Sequence, residues 1–170
     1  MYYSPDHYFE NLDLLPDGFF VSRGIKGVVC DIDNTLIRYT EHSPSDYSLR
    51  FLDRMKALGV KVMLISNNRG KERIKIFSFR GEVDIIGRAG KPAFSKKKIL
   101  SALESNSLSP DDVIFIGDQI FTDVAAARKC GIKTLLVDPL GPSHLPGFAI
   151  KRALEIPIKR SYIKKHGKNS

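Results

Sequence analysis

The sequence predicts an α/β fold with three layers, built in Rossmann-like fashion around a mainly parallel five-stranded sheet. Short apolar, β-branched runs alternate with stretches of helical periodicity, a pattern typical of parallel strands joined by right-handed crossovers. At 170 residues with 42% hydrophobic content, the chain is long enough for one such core and too short for two.

Five apolar runs are predicted to be strands, and the residues that follow them are expected to share one edge of the sheet. Parallel strands all point the same way, so their carboxyl ends gather at a single edge. Helices are expected between the strands, among them residues 71–79, with further helices over residues 8–15 and 148–154. The predicted strands begin at Gly27, Lys61, Val83, Val113 and Lys133.

Composition places this fold in the cytoplasm. No segment has the roughly 18 consecutive apolar residues that a membrane span needs, and residues 1–10 lack the basic-then-apolar order of a signal peptide. Cys30 and Cys130 are far apart and have no metal-ligand spacing, so both are interpreted as reduced, buried thiols.

Positive charge is concentrated at the end of the chain. The net charge is +8, and residues 151–170 contain seven Lys and Arg residues against one acid, Glu155. Such a basic tail can contact RNA, contact an anionic lipid surface, or remain solvated, and the sequence leaves all three open.

The most informative stretch covers residues 27–36, where an apolar strand ends in two carboxylates. Asp31 and Asp33 are two residues apart, so in an extended chain they face the same side. A polar turn after a strand is the simpler interpretation, because Asp and Asn are common turn residues. A functional site is favoured because later strands also end in polar residues.

The later strand ends and loops add a hydroxyl, a lysine and two carboxylates to the same edge, namely Ser66, Lys91, Asp118 and Asp123. Two carboxylates about 4 Å apart repel by roughly 4 kcal/mol at an effective dielectric near 20, so a cation is expected among them. Mg²⁺ is the expected ion because the donors are oxygens, without His or Cys.

Each of these residues also has a purely structural interpretation. Ser66 could cap the helix that follows it, Lys91 could be a surface lysine before a proline, and Asp123 could be a helix N-terminal charge. Coincidence of all three at one sheet edge is the less economical explanation.

The same residues suggest phosphoryl transfer. Ser66 and Lys91 are suited to hold a phosphoryl group while charge builds on it. Asp31 is then the predicted nucleophile, forming an acyl phosphate that water cleaves. Asp33 is the predicted general acid and base.

Four segments carry a family resemblance: Asp31-Ile32-Asp33-Asn34-Thr35-Leu36, Ser66-Asn67-Asn68, Lys91-Pro92, and Gly117-Asp118-Gln119 through Thr122-Asp123. In order and spacing they resemble the four motifs of the haloacid dehalogenase (HAD) superfamily of aspartyl-phosphate phosphatases. The resemblance covers about residues 25–140. More narrowly, the chain is similar to the capless, class IIIA, YqeG-type branch, which includes phosphatidylglycerophosphate phosphatases; residues 125–127 and Cys30 depart from its usual pattern away from the phosphate site.

The resemblance implies a capless HAD-like phosphatase domain over residues 25–155, with an N-terminal arm (residues 1–24) packed on it and a basic tail (residues 156–170). It implies Mg²⁺ ligation by the side chains of Asp31 and Asp118 and by the backbone carbonyl of Asp33. Asp123 and Gln119 would support this site from behind. The implied phosphate-binding residues are Thr35, Ser66, Asn67 and Lys91, of which Lys91 is also counted as catalytic.

The spacing of the motifs leaves no room for a cap, since about 30 and about 23 residues separate the first three. An open site favours a substrate that brings its own cover, such as a lipid head group at a membrane surface. The tail fits that idea because apolar and basic residues alternate in it, and each basic residue near an anionic membrane contributes about 1 kcal/mol. The residues concerned are Ile156, Ile158, Tyr162 and Ile163, and Lys159, Arg160, Lys164 and Lys165.

The leading hypothesis is therefore a Mg²⁺-dependent phosphatase acting on phosphatidylglycerophosphate, cytoplasmic and in peripheral contact with the inner membrane face. One alternative keeps the reaction but changes the substrate to a soluble sugar or nucleotide phosphate, or a phosphoprotein. Another class of function is an RNA- or ribosome-binding module with secondary phosphatase activity. Nucleic acid is the less favoured partner, and the oligomeric state stays open.

Overall fold

A six-stranded sheet forms the centre of the computed structural model, which describes residues 2–68, 75–78, 83–142 and 147–170. The spatial order is β1-β6-β5-β2-β3-β4, and every neighbouring pair is parallel. β2 lies in the middle of the sheet, between β5 and β3. The strands are β1 (His7–Phe9), β2 (Gly27–Asp31), β3 (Lys61–Ile65), β4 (Asp84–Ile86), β5 (Val113–Gly117) and β6 (Lys133–Val137).

Helices follow the strands along the chain. A π-helical turn, Ile120–Val124, connects β5 to α4. The helix Asp46–Ala57 begins after Ser45, whose hydroxyl accepts a hydrogen bond from the backbone N–H of Ser48. In the described residues the helices are α1 (Gly18–Val21), α2 (Asp46–Ala57), α3 (Lys96–Ser105), α4 (Ala125–Cys130) and α5 (Phe148–His166).

The strands are apolar on both sides because both faces of the sheet are covered. Val28 and Cys30 of β2 point to the face where Phe51 of α2 packs. Val29, between them, points to the opposite face and joins Leu103 of α3. This accounts for unbroken apolar runs where a one-sided sheet would alternate. The predicted three-layer α/β fold is confirmed.

The expected helix over residues 8–15 is wrong. Residues 7–9 form β1, which pairs with the edge of β6, and a 3₁₀ turn, Leu12–Leu14, follows. Tyr8 and Phe9 are both buried, on opposite faces of the sheet, which is the burial of a strand in a two-sided core. The sheet therefore has six strands where five were expected.

The last helix is longer than expected, because α5 continues from residue 154 to His166 and includes most of the predicted basic tail. Tyr162 is buried against Tyr8 of β1, and Ile158 and Ile163 pack against the same small cluster. Tyr162 is therefore not available to a membrane surface, contrary to the expectation from the alternating pattern of the tail.

Two other expectations concern helices. The basic helix expected over residues 71–79 falls largely outside the described residues. Within the part of the chain that is described, no helix is both long enough and apolar enough to cross a bilayer.

Asp6, which directly precedes β1, forms hydrogen bonds and an ion pair that connect this edge strand to the rest of the domain. Its carboxylate accepts hydrogen bonds from the backbone N–H of Thr134 (2.8 Å) and from the Thr134 hydroxyl (2.9 Å), and it pairs with Arg128 (3.0 Å). Burial raises the pKa of Asp6, but the hydrogen bonds from Thr134 and the charge of Arg128 outweigh burial and bring the pKa below its ordinary value. The ionised carboxylate is thus stabilised by folding.

Replacing this carboxylate should weaken the fold in a pH-dependent way. We expect Asp6→Asn to lower the free energy of unfolding at pH 7 by about 1–3 kcal/mol, because hydrogen bonds to charged groups contribute on that order. A group whose pKa is depressed by folding stabilises above its unfolded pKa, near 3.9, and loses that effect as the pH falls. Urea denaturation should therefore show a larger difference between wild type and Asp6→Asn at pH 7 than at pH 3. Equal loss at both pH values, or loss in the exposed control Asp111→Asn, would contradict this account.

Candidate active site

The carboxyl edge of the sheet brings the four predicted segments together. Asp31 is the last residue of β2, Ser66 follows β3, and Asp118 follows β5. Lys91 lies in the connection from β4 to α3, and Asp123 lies in the π-helical turn after β5. All five are buried. Parallel strand order alone places them at one edge, and the contacts below place them at one site.

Lys91 is the central cation of this edge. Its Nζ donates to the carboxylates of Asp31 and Asp123, the latter at 2.7 Å. Burial by itself lowers the pKa of Lys91, but Asp123 and Asp31 outweigh burial and raise the pKa above the ordinary value. The side chain is therefore an ammonium group that pairs with two carboxylates, one at the end of β2 and one in the π-helical turn after β5.

Asn67 holds the backbone that carries this lysine. Its Oδ1 accepts from the N–H of Lys91 at 2.7 Å, and its Nδ2 donates to the carbonyl of Lys91 at 3.1 Å. Both halves of the amide are engaged in this way. Asn67 also lines the cavity above the site.

Ser66 and Asp33 form a second contact. The Ser66 hydroxyl donates to Asp33 Oδ2 at 2.8 Å and accepts from the N–H of Asn68 at 2.9 Å. The hydroxyl therefore connects the loop after β3 to the loop after β2 and fixes the orientation of the Asp33 carboxylate. Asp33 lines the cavity, so this carboxylate is both oriented and accessible.

Asp31, Asp118 and Asp123 form a compact acidic group. One carboxylate oxygen from each lies within 4.8 Å of the others, and all three residues are buried. Burial raises the pKa of Asp31 well above its ordinary value, with Asp123 and Asp118 adding to the effect while Lys91 opposes it. Burial also raises the pKa of Asp118 to about 7, although the charge of Arg152 lowers it. Ionising these close, buried carboxylates costs free energy, which a bound cation would offset. Because all of the donor atoms are oxygens, the group is suited to a hard divalent cation.

Thr35 and Gln119 lie next to this acidic group. The Thr35 hydroxyl is buried and donates to Asp118 Oδ1 at 3.4 Å. The backbone N–H of Gln119 donates to Asp123 Oδ2 at 3.1 Å. Asp118 is thus hydrogen-bonded by a residue of the loop after β2, and Asp123 by the backbone of its own segment.

Gly117 is needed for the close approach of Asp123. A Cβ atom built on Gly117 would lie 2.5 Å from the side-chain atoms of Asp123, which real contacts do not allow. A glycine at the end of β5 therefore lets the π-helical turn fold back until its carboxylate meets Lys91.

Arg152 is a site residue that sequence reasoning missed. It extends from α5 and donates to both the carboxylate and the backbone carbonyl of Asp118. Arg152 also meets Glu155 at 3.3 Å, and Glu155 in turn accepts from the N–H of Phe121 at 3.0 Å. The sequence counts Arg152 only as one of many tail cations; the one available signal is the single acid, Glu155, three residues later in a basic run.

A cavity of about 480 Å³ opens above these side chains. Asp31, Asp33 and Lys91 line its inner part, and Tyr39, Phe121 and Lys151 line it where exposure is greater. This volume is in the range of small-molecule sites. Tyr39, Phe121 and Lys151 were not singled out from the sequence. Tyr39 and Lys151 lie outside the four segments, and Phe121 lies in the fourth segment at a position that the motif does not specify.

Comparison with known proteins agrees with this geometry. A family model described as mitochondrial PGP phosphatase matches residues 3–141. The chain is 31% identical over 142 residues to a probable phosphatase, YqeG, of Bacillus subtilis, covering 84% of this chain and 81% of that protein. It is 28% identical over 161 residues to phosphatidylglycerophosphate phosphatase 1, chloroplastic/mitochondrial, of Arabidopsis thaliana, covering 84% of this chain and 43% of that protein.

A solved structure shares the fold. The 3-deoxy-D-manno-octulosonate 8-phosphate phosphatase of Moraxella catarrhalis superposes with a TM-score of 0.52 at 12% identity, covering 88% of this chain and 96% of that one. At this identity the likeness concerns the fold alone.

The fold and the arrangement at the carboxyl edge define a phosphatase of the HAD superfamily. Within that class, the chain belongs to the mitochondrial PGP phosphatase family, with the YqeG-type proteins among its relatives.

Removing Arg152 should change how the acidic group binds a cation. Its guanidinium pairs with the Asp118 carboxylate, which belongs to the acidic group suited to a divalent ion, so the two cations would compete for the same carboxylate. We expect Arg152→Gln to tighten Mn²⁺ binding on the order of tenfold, because a charge-assisted hydrogen bond contributes about 1.5–3 kcal/mol. Titration followed by electron paramagnetic resonance measures the affinity directly. The exposed Arg160→Gln on the same helix serves as the control, and unchanged or weaker binding in Arg152→Gln would contradict competition.

Proposed function

We propose that this protein hydrolyses a phosphomonoester with Mg²⁺ through an aspartyl-phosphate at Asp31, and that its substrate is phosphatidylglycerophosphate, which it converts to phosphatidylglycerol. The observation that carries the proposal is the contact between Lys91, Asp31 and Asp123 beneath an open cavity. It joins a potential nucleophile, a fixed positive charge and an acidic group in one place.

The metal part of the proposal rests on the donor set. Asp31 and Asp118 would supply carboxylate oxygens and Asp33 its backbone carbonyl, with Asp123 and Gln119 behind them. Oxygen donors favour Mg²⁺ over softer ions. When bound, the ion would neutralise negative charge on the phosphoryl oxygens. The structure of the Moraxella catarrhalis protein, which has the same fold, contains magnesium and phosphate ions. This supports Mg²⁺ as the proposed ion.

In the first step, a carboxylate oxygen of Asp31 forms a bond to phosphorus while the bond from phosphorus to the leaving alkoxide breaks. Asp33, in its protonated form, gives its proton to that alkoxide. The Ser66 contact at 2.8 Å keeps the Asp33 carboxyl oriented for this transfer. Lys91 donates a hydrogen bond to Asp31, and its positive charge would stabilise the phosphoryl oxygens as charge builds on them.

In the second step, water attacks phosphorus and the bond to Asp31 breaks, which releases inorganic phosphate. Asp33, now ionised, takes the proton from the attacking water. Thr35, Ser66 and Asn67 are proposed to help hold the phosphoryl group through both steps. The cycle returns Asp31 as a carboxylate and Asp33 as an acid, so atoms and protons balance.

The lipid substrate is supported by the family and by the cavity. The matching family is described as a PGP phosphatase, and the Arabidopsis thaliana relative is a phosphatidylglycerophosphate phosphatase. The cavity is open and has Lys151 at its exposed part, which suits a substrate with additional negative charge. A soluble sugar phosphate, a nucleotide or a phosphoprotein is the alternative substrate class.

A substrate panel tests both parts of the proposal. Wild type should hydrolyse phosphatidylglycerophosphate in detergent micelles with a kcat/KM on the order of a hundredfold above those for p-nitrophenyl phosphate, a sugar phosphate, a nucleotide and a phosphopeptide, equivalent to roughly 2.7 kcal/mol of transition-state stabilisation. Asp31→Asn should abolish turnover of every substrate because it removes the nucleophile. Circular dichroism and thermal melting should show that the variant remains folded.

The controls separate the two claims. Asp111→Asn removes an exposed carboxylate at the amino end of β5, opposite the carboxyl edge that carries the site, and should behave as wild type. Preference for a soluble phosphate would exclude the lipid while leaving the phosphatase intact. Turnover that survives in folded Asp31→Asn would overturn the mechanism, and tight, salt-sensitive RNA binding with negligible turnover would favour the RNA-binding alternative.

A further inference from the structure

Large apolar side chains are exposed on elements that carry residues of the active-site cavity. Phe94 is 82% exposed, Ile150 68% and Leu154 58%. Single exposed apolar residues are common on protein surfaces. These three stand out because each is close in the chain to a residue that lines the cavity.

A loop and the first turns of α5 carry these side chains. Phe94 lies in the connection from β4 to α3, two residues after Pro92, which lines the cavity. Ile150 directly precedes Lys151, another lining residue. Leu154 is four residues after Ile150 and therefore on the same face of α5. The exposed apolar side chains are therefore on two elements that also carry cavity-lining residues, Pro92 on one and Lys151 on the other.

The N-terminal segment adds two aromatic rings to this opening. Tyr3 packs edge-to-face on Phe121, a lining residue, with ring centroids 5.3 Å apart, and Tyr2 packs on Tyr3 at 5.1 Å. Tyr2 is 51% exposed and Tyr3 40%. Tyrosine has an apolar ring and a polar tip, and it is favoured where a protein meets the interfacial region of a bilayer. We call Tyr2, Tyr3, Phe94, Ile150 and Leu154 the mouth patch.

The charge next to the mouth patch is positive. α5 has one acid, Glu155, which is buried and bonded to the N–H of Phe121 and to Arg152, so it does not offset the exposed cations of the helix. Lys151 is exposed at the cavity itself. The exposed cations at the starts of α3 and α5 are Lys96, Lys97, Lys98 and Lys151.

We propose that the mouth patch docks on a bilayer containing anionic phospholipid and places the open cavity against the head groups. This inference rests on the proposed lipid substrate and adds the surface by which the site reaches it. Exposed aliphatic side chains with cations around them match an apolar layer beneath anionic head groups. An RNA partner would use the cations but would leave Ile150 and Leu154 exposed to water.

Docking replaces the role first assigned to the tail. Tyr162 and its apolar neighbours in the second half of α5 pack on β1, so the bilayer would meet the start of α5. The site would then need no cap domain, because the membrane surface would cover the cavity.

Vesicle binding tests the proposal with a triple variant, Phe94→Ser/Ile150→Ser/Leu154→Ser. Wild type should co-sediment with vesicles of phosphatidylcholine and phosphatidylglycerol and much less with pure phosphatidylcholine. The triple variant should lose at least about tenfold in vesicle affinity because its apolar anchors are gone. Its kcat/KM for soluble p-nitrophenyl phosphate should stay at the wild-type value, since none of the three residues lines the cavity.

Val21→Ser is the matched control. Val21 is 68% exposed, the same fraction as Ile150, and lies at the end of α1, in the segment that leads into the amino end of β2. This variant should bind vesicles as wild type does. Equal binding by wild type and the triple variant, or no binding by wild type, would overturn the proposal.

A fluorescence measurement avoids any question of misfolding. The chain has no tryptophan, so Phe94→Trp and Val21→Trp each introduce a single reporter. Anionic vesicles should shift the emission of the residue-94 reporter to the blue and leave the residue-21 reporter unchanged. A shift at residue 21 alone, or stronger binding to single-stranded RNA than to vesicles, would also overturn the proposal.

The outcomes separate docking from the substrate. Vesicle binding through the mouth patch without turnover of phosphatidylglycerophosphate would exclude the proposed substrate but not the docking proposal. If the lipid is turned over in detergent micelles but wild type and the triple variant bind vesicles with equal affinity, the docking proposal is excluded and the proposed substrate is not.

Discussion

The structure of the site depends on one buried ammonium group placed among carboxylates. Lys91 is almost fully buried and holds Asp31 and Asp123 together. Burying charge is costly unless each charge is paired and hydrogen-bonded, and removal of one partner leaves the other uncompensated. Lys91 therefore links the segments that carry these three residues. Replacing any one of the three would leave a buried charge without its partner.

The surrounding contacts serve the same requirement. Asn67 holds the backbone of Lys91 through both ends of its amide, and Gly117 leaves the space that Asp123 enters. At the far side of the acidic group, Arg152 offsets the charge of Asp118 from a helix that is more than 30 residues away in the chain. Lys91 and Arg152 offset the negative charge of these carboxylates and so stabilise the fold. Because they also keep the carboxylates close together, they maintain the acidic group to which a divalent cation would bind.

Much of the fold was predictable because its core strands are apolar on both faces and alternate with helices. The edge strand β1 was not, since it has three residues and depends on partners such as Thr134, which lies 128 residues from Asp6. The length of α5 was underestimated for a related reason. Pro157 usually ends a helix, yet the helix continues through it because Tyr162 finds a buried place against β1.

The candidate site was predictable to the extent that its residues follow strands in recognisable segments. Asp31, Ser66, Lys91 and Asp118 were found because parallel strand order brings their loops to one edge. Arg152 was not, because a cation in a basic run carries no local signal and its contact with Asp118 arises from the packing of α5. The engagement of Asn67 with the lysine backbone was likewise invisible, since a motif shows which residues are present and not which groups they contact.

The central claim is that Asp31 itself takes the phosphoryl group, and trapping the phosphoenzyme tests it most directly. Asp33→Asn, which lacks the base of the water step, would be mixed with ³²P-labelled p-nitrophenyl phosphate, whose leaving group needs no proton from Asp33, then quenched in acid and digested for peptide mapping. The account predicts an acid-stable, alkali-labile label on the peptide containing residue 31, and none in Asp31→Asn. Steady hydrolysis without any labelled enzyme, or a label on another residue, would contradict it.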